Sequence, residues 1–370
     1  MSEITPVTLL TGYLGSGKTT LLNQLLLAPE LRDTAVVINE YGEVSIDHML
    51  VRSVSGNITV LANGCVCCSV SGELVSALRD LYFKRASGEV PYFSRVIIET
   101  TGLADPAPIM HTLIEMPLVA ARYQLSGVVA TVDAIHGEAQ LDANEEAVKQ
   151  AGMADRIVLT KIDLASLDAI TKLKTRLALL NPGATIVESV MGNANAAALF
   201  DTGLYSQNTS PDSPKQRTAN VRKWLNAEAY RQVSPTPVLP RLSSPRASAR
   251  RGRHDERISA FCVRYSEPIV WDSLIDVLEM MQSLRGPQLL RVKGIVNVAG
   301  ESRPRVIHVV EHTIYPAANL VAWPDSDKST RLVFIVRDLD EAFILDSLKT
   351  FIQQGVPGIS VANRSALLVS

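Results

Sequence analysis

One short stretch constrains this chain more than any other. Val7-Thr8-Leu9-Leu10 reads as an apolar strand. Gly12-Tyr13-Leu14-Gly15-Ser16-Gly17-Lys18-Thr19 follows, and Leu21, Leu22, Leu25 and Leu26 then recur at helical spacing. Strand, glycine-rich loop and helix form the setting in which Gly-x-x-x-x-Gly-Lys-Thr cradles phosphate. The glycines let successive backbone N–H groups turn inward, and the helix N-terminus adds partial positive charge. Gly12, Gly15, Ser16, Gly17, Lys18, Thr19 and Thr20 are therefore the candidate nucleotide contacts. Lys18 is expected at the β- and γ-phosphates and the Thr19 hydroxyl at Mg²⁺, both in catalytic roles.

The first half of the chain continues the same rhythm, with short apolar runs alternating with helical patterns, as a parallel α/β sheet requires. Further strands are expected at 35–38, 58–61, 95–99, 127–132, 156–160 and, more weakly, 185–187. Leu74, Leu78, Leu81 and Tyr82 mark one helix face. Composition changes between 206 and 257, where a helix carrying Val221, Trp224 and Leu225 precedes a stretch rich in Pro and Arg. That stretch reads as a mobile basic linker or as a docking arm for an acidic partner. From 258 the pattern becomes strand, helix, three strands and helix, a smaller α+β domain. The expected division is 1–205, 206–257 and 258–358.

Two further motifs lie where a nucleotide-hydrolysing fold needs them. Glu99-Thr100-Thr101-Gly102 ends an apolar strand, a place for the acid that holds Mg²⁺ with Thr19 and for a Gly102 N–H at the γ-phosphate. Thr160-Lys161-Ile162-Asp163 follows another strand. A carboxylate at Asp163 can accept from N1–H and the 2-amino group of guanine, donors that adenine lacks. The stem of Lys161 can lie across the base, and the Thr160 hydroxyl can make one supporting hydrogen bond. Taken alone, this second motif reads as a surface turn capping a helix; behind a phosphate loop it reads as the guanine-recognition turn.

Three of the four cysteines fall within four positions, as Cys65-Val66-Cys67-Cys68. Thiolates suit soft and borderline metals such as Zn²⁺. Closed structural sites use four ligands, commonly from two spaced pairs, and no second pair exists here. A three-thiolate site keeps one position open, which suits handing metal over. Glu43 is a candidate fourth ligand. The cluster lies in sequence between Asn39-Glu40-Tyr41-Gly42-Glu43, an expected switch segment, and Glu99. Both flanks should sense the γ-phosphate. A buried or redox-active thiol cluster is the alternative. Cys262 reads as core; His48, His308 and His312 read as structural or exposed.

The bulk numbers narrow the class. The formal net charge of −2 over 370 residues gives no global drive toward nucleic acid or acidic membranes. No apolar run approaches the roughly 20 residues of a membrane-spanning helix, and no basic leader precedes a cleavage site. A cytoplasmic protein is the expectation, with no nucleic-acid and no membrane partner.

Together, Gly-Tyr-Leu-Gly-Ser-Gly-Lys-Thr-Thr, Asn-Glu-Tyr-Gly-Glu-Val, Asn-Gly-Cys-Val-Cys-Cys, Glu-Thr-Thr-Gly-Leu-Ala-Asp-Pro and Thr-Lys-Ile-Asp-Leu resemble the CobW-type metallochaperone GTPases. Leu290-Arg291-Val292-Lys293-Gly294 and Trp323-Pro324 look like that family's C-terminal domain. The resemblance implies a P-loop NTPase of the SIMIBI type, with a mainly parallel sheet, helices on both faces and an α+β partner domain. It further implies GTP and Mg²⁺ at the loop, Zn²⁺ at Cys65, Cys67 and Cys68, and GTP-dependent transfer of that metal to a client metalloprotein. A homodimer in the GTP state is an added expectation. Alternatives are a cobalt- or iron-directed chaperone for cobalamin synthesis or nitrile hydratase activation, a metal or redox sensor that binds GTP without significant turnover, and a P-loop kinase for a small molecule.

Overall fold

The computed structural model of the chain describes residues 4–39, 59–63, 70–200, 221–222, 224–233 and 257–353. Glu43, His48, Cys65, Cys67, Cys68 and the Pro/Arg-rich stretch 234–256 lie outside the described residues.

The first sheet is built from β1 (Thr5–Gly12), β2 (Thr34–Asn39), β3 (Thr59–Asn63), β4 (Arg95–Thr100), β5 (Tyr123–Asp133), β6 (Arg156–Thr160) and β7 (Thr185–Glu188). All pairings are parallel, in the order β3-β2-β4-β1-β5-β6-β7. Successive strand residues point to opposite faces, so the burial pattern assigns the helices. On one face Leu10, Val36, Ile38 and Ile97 pack with α1 (Lys18–Leu25). On the other, Val7, Leu9, Val37, Val96 and Ile98 pack with α2 (Val70–Ser87) and α3 (Pro106–Glu115). Burial on both faces explains why these strands read as continuous apolar runs.

Among the described residues, the longer helices beyond the sequence expectation in this layer are α3, then α4 (Gly137–Ala143), α5 (Glu145–Met153) and α6 (Leu167–Leu180). Each start or stop has a local cause. Asp105 Oδ1 accepts from Ala107 N at 2.9 Å to cap α3, with Pro106 at its first position. Ser166 Oγ accepts from Ala169 N at 3.2 Å to cap α6. Asn181 ends α6 and donates from Nδ2 to the carbonyls of Ala151, Gly152 and Ala154 at 2.8–3.0 Å, which satisfies the C-terminal carbonyls of α5.

The second sheet contains β8 (Arg231–Val233), β9 (Ile258–Tyr265), β10 (Arg291–Val296), β11 (Arg305–Val310), β12 (Thr313–Ile314), β13 (Ala318–Asn319) and β14 (Thr330–Arg337). Its order is β12-β11-β10-β14-β9-β8, with β13 also on β11. All pairings are antiparallel except that of β8 with β9. One face carries α7 (Trp271–Arg285) and α8 (Glu341–Gln353), over Phe261, Val292, Val309 and Phe334. The other face, with Cys262, Ile295, Val306 and Val333, packs against α5, α6 and β6 of the first layer. Trp224, Leu225 and Tyr230 join this shared core, so residues 224–233 are packed structure with β8 as an added edge strand. Cys262 is buried, and burial pushes its thiol up to about 11. No helix among the described residues is long and apolar enough to cross a membrane.

Candidate functional site

The glycine-rich loop leaves the C-terminal end of β1, the central strand. Gly12 has φ +142°, and a Cβ there would lie 2.2 Å from Thr131 Oγ1 and 2.5 Å from the Thr131 carbonyl. Only glycine lets the loop leave β1 against β5 this closely. Gly17, at φ +88°, is the residue that turns the chain into α1. Ser16 N donates to Tyr13 O at 3.1 Å, and the Ser16 and Thr131 hydroxyls sit 2.6 Å apart. The Lys18 ammonium lies back over the loop, donating to the carbonyls of Gly12 at 2.8 Å and Tyr13 at 3.2 Å. Gly15 has open space where a Cβ would stand. Thr20 is exposed on α1.

Glu99, buried near the end of β4, meets the loop directly, since Thr19 Oγ1 donates to its Oε1 at 2.8 Å. Two oxygen donors at that spacing, beside a phosphate-type loop, are the hard ligands Mg²⁺ prefers, so the donor set fits that ion. Gly102 follows, and a Cβ on it would come within 2.6 Å of Leu14 N and Cδ2. The loop 101–105 is fastened from behind: Gln150 Nε2 donates to the carbonyls of Gly102 and Ala104 at 3.2 and 2.9 Å. Gln140 and Asn144 hold the other loop, through Leu14 O and the Tyr13 hydroxyl. Nothing in the sequence hinted at these three polar clamps, because the helices that carry or flank them were not legible.

The turn after β6 is brought to the same place. Thr160 Oγ1 donates to Ser16 O at 2.7 Å, and Lys161 Nζ donates to Gly15 O at 2.8 Å and to Asp133 Oδ2 at 2.6 Å. Asp163 lies exposed in a 3-10 turn, Ile162–Leu164. Lys18, Thr19, Glu99, Gly102, Thr160 and Lys161 thus surround one loop. Burial works to raise the Asp133 carboxyl, but hydrogen bonds from Lys161, His136 and the Ile135 and His136 amides outweigh it and hold it below the usual carboxylate value.

The cysteines, with Glu43, lie outside the described residues. The strand leading to them ends at Asn63, in register with Asn39 of β2, which in turn is level with Thr100 of β4. The other two histidines flagged in the sequence divide. His308 is buried and stacks on Tyr315 at 4.0 Å between ring centroids. The His312 ring lies against Gly286, where a Cβ would meet it at 1.9 Å.

A second polar cluster, unforeseen from sequence, joins the two sheets. Val292 faces α7, so period-two alternation turns Arg291 and Lys293 toward the first layer. Arg291 Nη2 and Lys293 Nζ donate to Asp155 Oδ1 at 2.7 and 2.9 Å, and Val128 N donates to Asp155 Oδ2 at 2.9 Å. Burial would raise the Asp155 carboxyl; Arg291 and Lys293 overcome it and hold it far below the ordinary range. Burial, with Arg291 nearby, lowers the Lys293 ammonium to about 7. Nearer the surface, Lys149 of α5 pairs with both Asp105 and Glu311 of the second domain.

A parallel sheet bearing a phosphate-type loop, a Thr–carboxylate pair and a Thr-Lys-x-Asp turn defines a nucleotide-binding protein of the P-loop class, here joined to an α+β domain. The nucleotide-binding domain family CobW/HypB/UreG matches residues 6–188, and the cobalamin synthesis protein CobW C-terminal domain matches residues 258–352. The zinc chaperone YjiA of Escherichia coli is 34% identical over 335 residues, covering 90% of this chain and 95% of that protein. The zinc chaperone CobW of Pseudomonas aeruginosa is 28% identical over 384 residues, covering 93% and 91%. The crystal structure of Zn(II)-bound YjiA GTPase from Escherichia coli superposes with a TM-score of 0.67 at 29% identity, covering 94% of this chain and 99% of that one. The chain belongs to the CobW family.

Proposed function

We propose that this protein hydrolyses GTP and uses the cycle to load Zn²⁺ at Cys65, Cys67 and Cys68 and release it to a client metalloprotein. The observation that carries the reading is the 2.8 Å pair of Thr19 and Glu99 beside Lys18, on a loop also gripped by Thr160 and Lys161. Relatives named as zinc chaperones and as a GTPase support it. The matches at 6–188 and 258–352 support a GTPase domain over 1–205 and a partner domain over 258–358.

Thr19 and Glu99 would hold Mg²⁺, directly or through water, and the ion would neutralise charge on the β- and γ-phosphates. Lys18 and the loop amides would stabilise the charge that develops as water attacks the γ-phosphate. Gly102 would present its N–H to the same phosphate. Asp163 would select guanine. Thiolates would bind the metal cargo, and a γ-phosphate-ordered segment around Glu43 would alter their geometry. The cytoplasm is the compartment that fits reduced thiols. Leu14 and Leu103, both exposed beside the loop, offer an apolar surface on which a second copy could dock in the GTP state.

Paired variants test the reading. Cys67→Ala should weaken zinc binding by at least roughly tenfold while GTP binding stays intact. Lys18→Ala should lower GTP binding by roughly tenfold or more while zinc binding without nucleotide is unchanged. Full zinc affinity in Cys67→Ala would remove the ligand assignment. Equal turnover of ATP and GTP would remove the guanine assignment.

A further inference from the structure

We infer that Asp133 is a positioning residue for base selection: its buried carboxylate anchors Lys161 to the phosphate loop and so fixes the turn that aims Asp163. The inference rests on the proposed GTP reading and deepens it.

Asp133 is the last residue of β5, and its side chain is 1% exposed. Its two oxygens do different work. Oδ1 accepts from Ile135 N at 2.7 Å and His136 N at 3.3 Å, which closes the local turn. Oδ2 accepts from Lys161 Nζ at 2.6 Å and lies 3.1 Å from His136 Nδ1. Lys161 therefore bridges Asp133 and the Gly15 carbonyl.

That bridge matters because of the Lys161 backbone. It is left-handed, at φ 56° and ψ 29°, a region that non-glycine residues rarely occupy without outside restraint. The Lys161 carbonyl then accepts from Leu164 N at 3.1 Å and closes the 3-10 turn that carries Asp163. Ala134 N, next to Asp133, donates to Thr160 O at 3.0 Å and ties the two strand ends together. The carboxylate thus restrains the side chain of the left-handed residue two positions before Asp163. The same two contacts fix where the Lys161 ammonium sits, at the end of the stem expected to lie across the base.

The division of labour gives a clean substitution. Asp133→Asn keeps a carbonyl oxygen for the Ile135 and His136 amides but replaces the acceptor of Lys161 with an amide that cannot accept. The prediction is a split in steady-state kinetics. KM for GTP should rise by roughly tenfold or more, and the preference for GTP over ATP in kcat/KM should fall by a similar factor. The loss should fall on KM far more than on kcat, and the melting temperature should stay near that of the parent. Asp163→Asn is the companion variant. If it loses guanine preference while Asp133→Asn keeps the parent KM and preference, the positioning role is overturned. A drop in melting temperature and kcat with base preference intact would also overturn it, leaving Asp133 as a staple of its own turn. If Asp163→Asn itself keeps the preference for GTP, the base-reading assignment fails first, and the role of Asp133 falls with it.

Discussion

At the scale of single residues, this site depends on atoms that are absent. Gly102 has no room for a methyl group, since a Cβ would press on the Leu14 backbone at 2.6–2.7 Å. Gly102→Ala should displace either the phosphate loop or the 101–105 loop. A shift of about 1 Å at a reacting centre costs on the order of a hundredfold. GTP turnover in Gly102→Ala should therefore fall by roughly ten- to a hundredfold, measured as phosphate release at saturating nucleotide. Parent-level turnover would mean that the approach of the two loops is not needed for chemistry. Such residues were legible in the sequence because their constraints are local: glycine spacing, a lysine and a threonine tied to one turn. Asp133 was not legible, because its partner is Lys161, in the turn after a different strand.

At the scale of elements, the strands announced themselves and several helices did not. Strands buried on both faces read as apolar runs, and β1, β2, β4 and β6 lie where those runs fall. The helix α5 buries small residues such as Ala147, Ala151 and Gly152, which give little apolar contrast against their surroundings. What fixes α5 is a polar side chain from a distant segment. Asn181 alone serves three of its terminal carbonyls. Leaving buried carbonyls unsatisfied costs about 1–3 kcal/mol. Asn181→Ala should lower unfolding stability by about that amount, read by urea titration with an unchanged m-value. A change within about 0.5 kcal/mol, the range usual for exposed positions, would mean that water takes over the three bonds.

At the scale of the whole molecule, the two sheets meet through an apolar core and a buried ionic cluster. In the sequence, Arg291 and Lys293 stood out only as part of the Leu290–Gly294 motif. They face Asp155 across the domain boundary, a pairing that no local pattern encodes. His308 belongs to the same cluster, with Nε2 accepting from Arg291 Nε at 3.1 Å, which requires a neutral ring. Burial, and then Arg291, lowers its pKa well below the ordinary value. The sign follows from proton counting. Below about pH 6.5 the unfolded chain binds a proton at His308 that the native protein refuses, so stability falls as the solution is acidified. The expected slope is up to about 1.4 kcal/mol per pH unit, from about 6.5 down to the native value. His308→Gln keeps an acceptor for Arg291 and should flatten this slope between about pH 6.5 and 5. An unchanged slope would place the sensitivity elsewhere. Removing Asp155 should do more, about 3–5 kcal/mol, because two buried cations lose their counter-charge.

The proposed function couples a nucleotide loop to a metal held by cysteines that follow β3 in the sequence. Its most direct measurement is an anaerobic zinc titration, with Mg²⁺, in the presence and absence of a non-hydrolysable GTP analogue. The account predicts that the analogue shifts zinc affinity by at least roughly tenfold, about 1.4 kcal/mol of coupling, and that Lys18→Ala abolishes the shift. Identical zinc affinity with and without the analogue, at concentrations that saturate the nucleotide site, would contradict it.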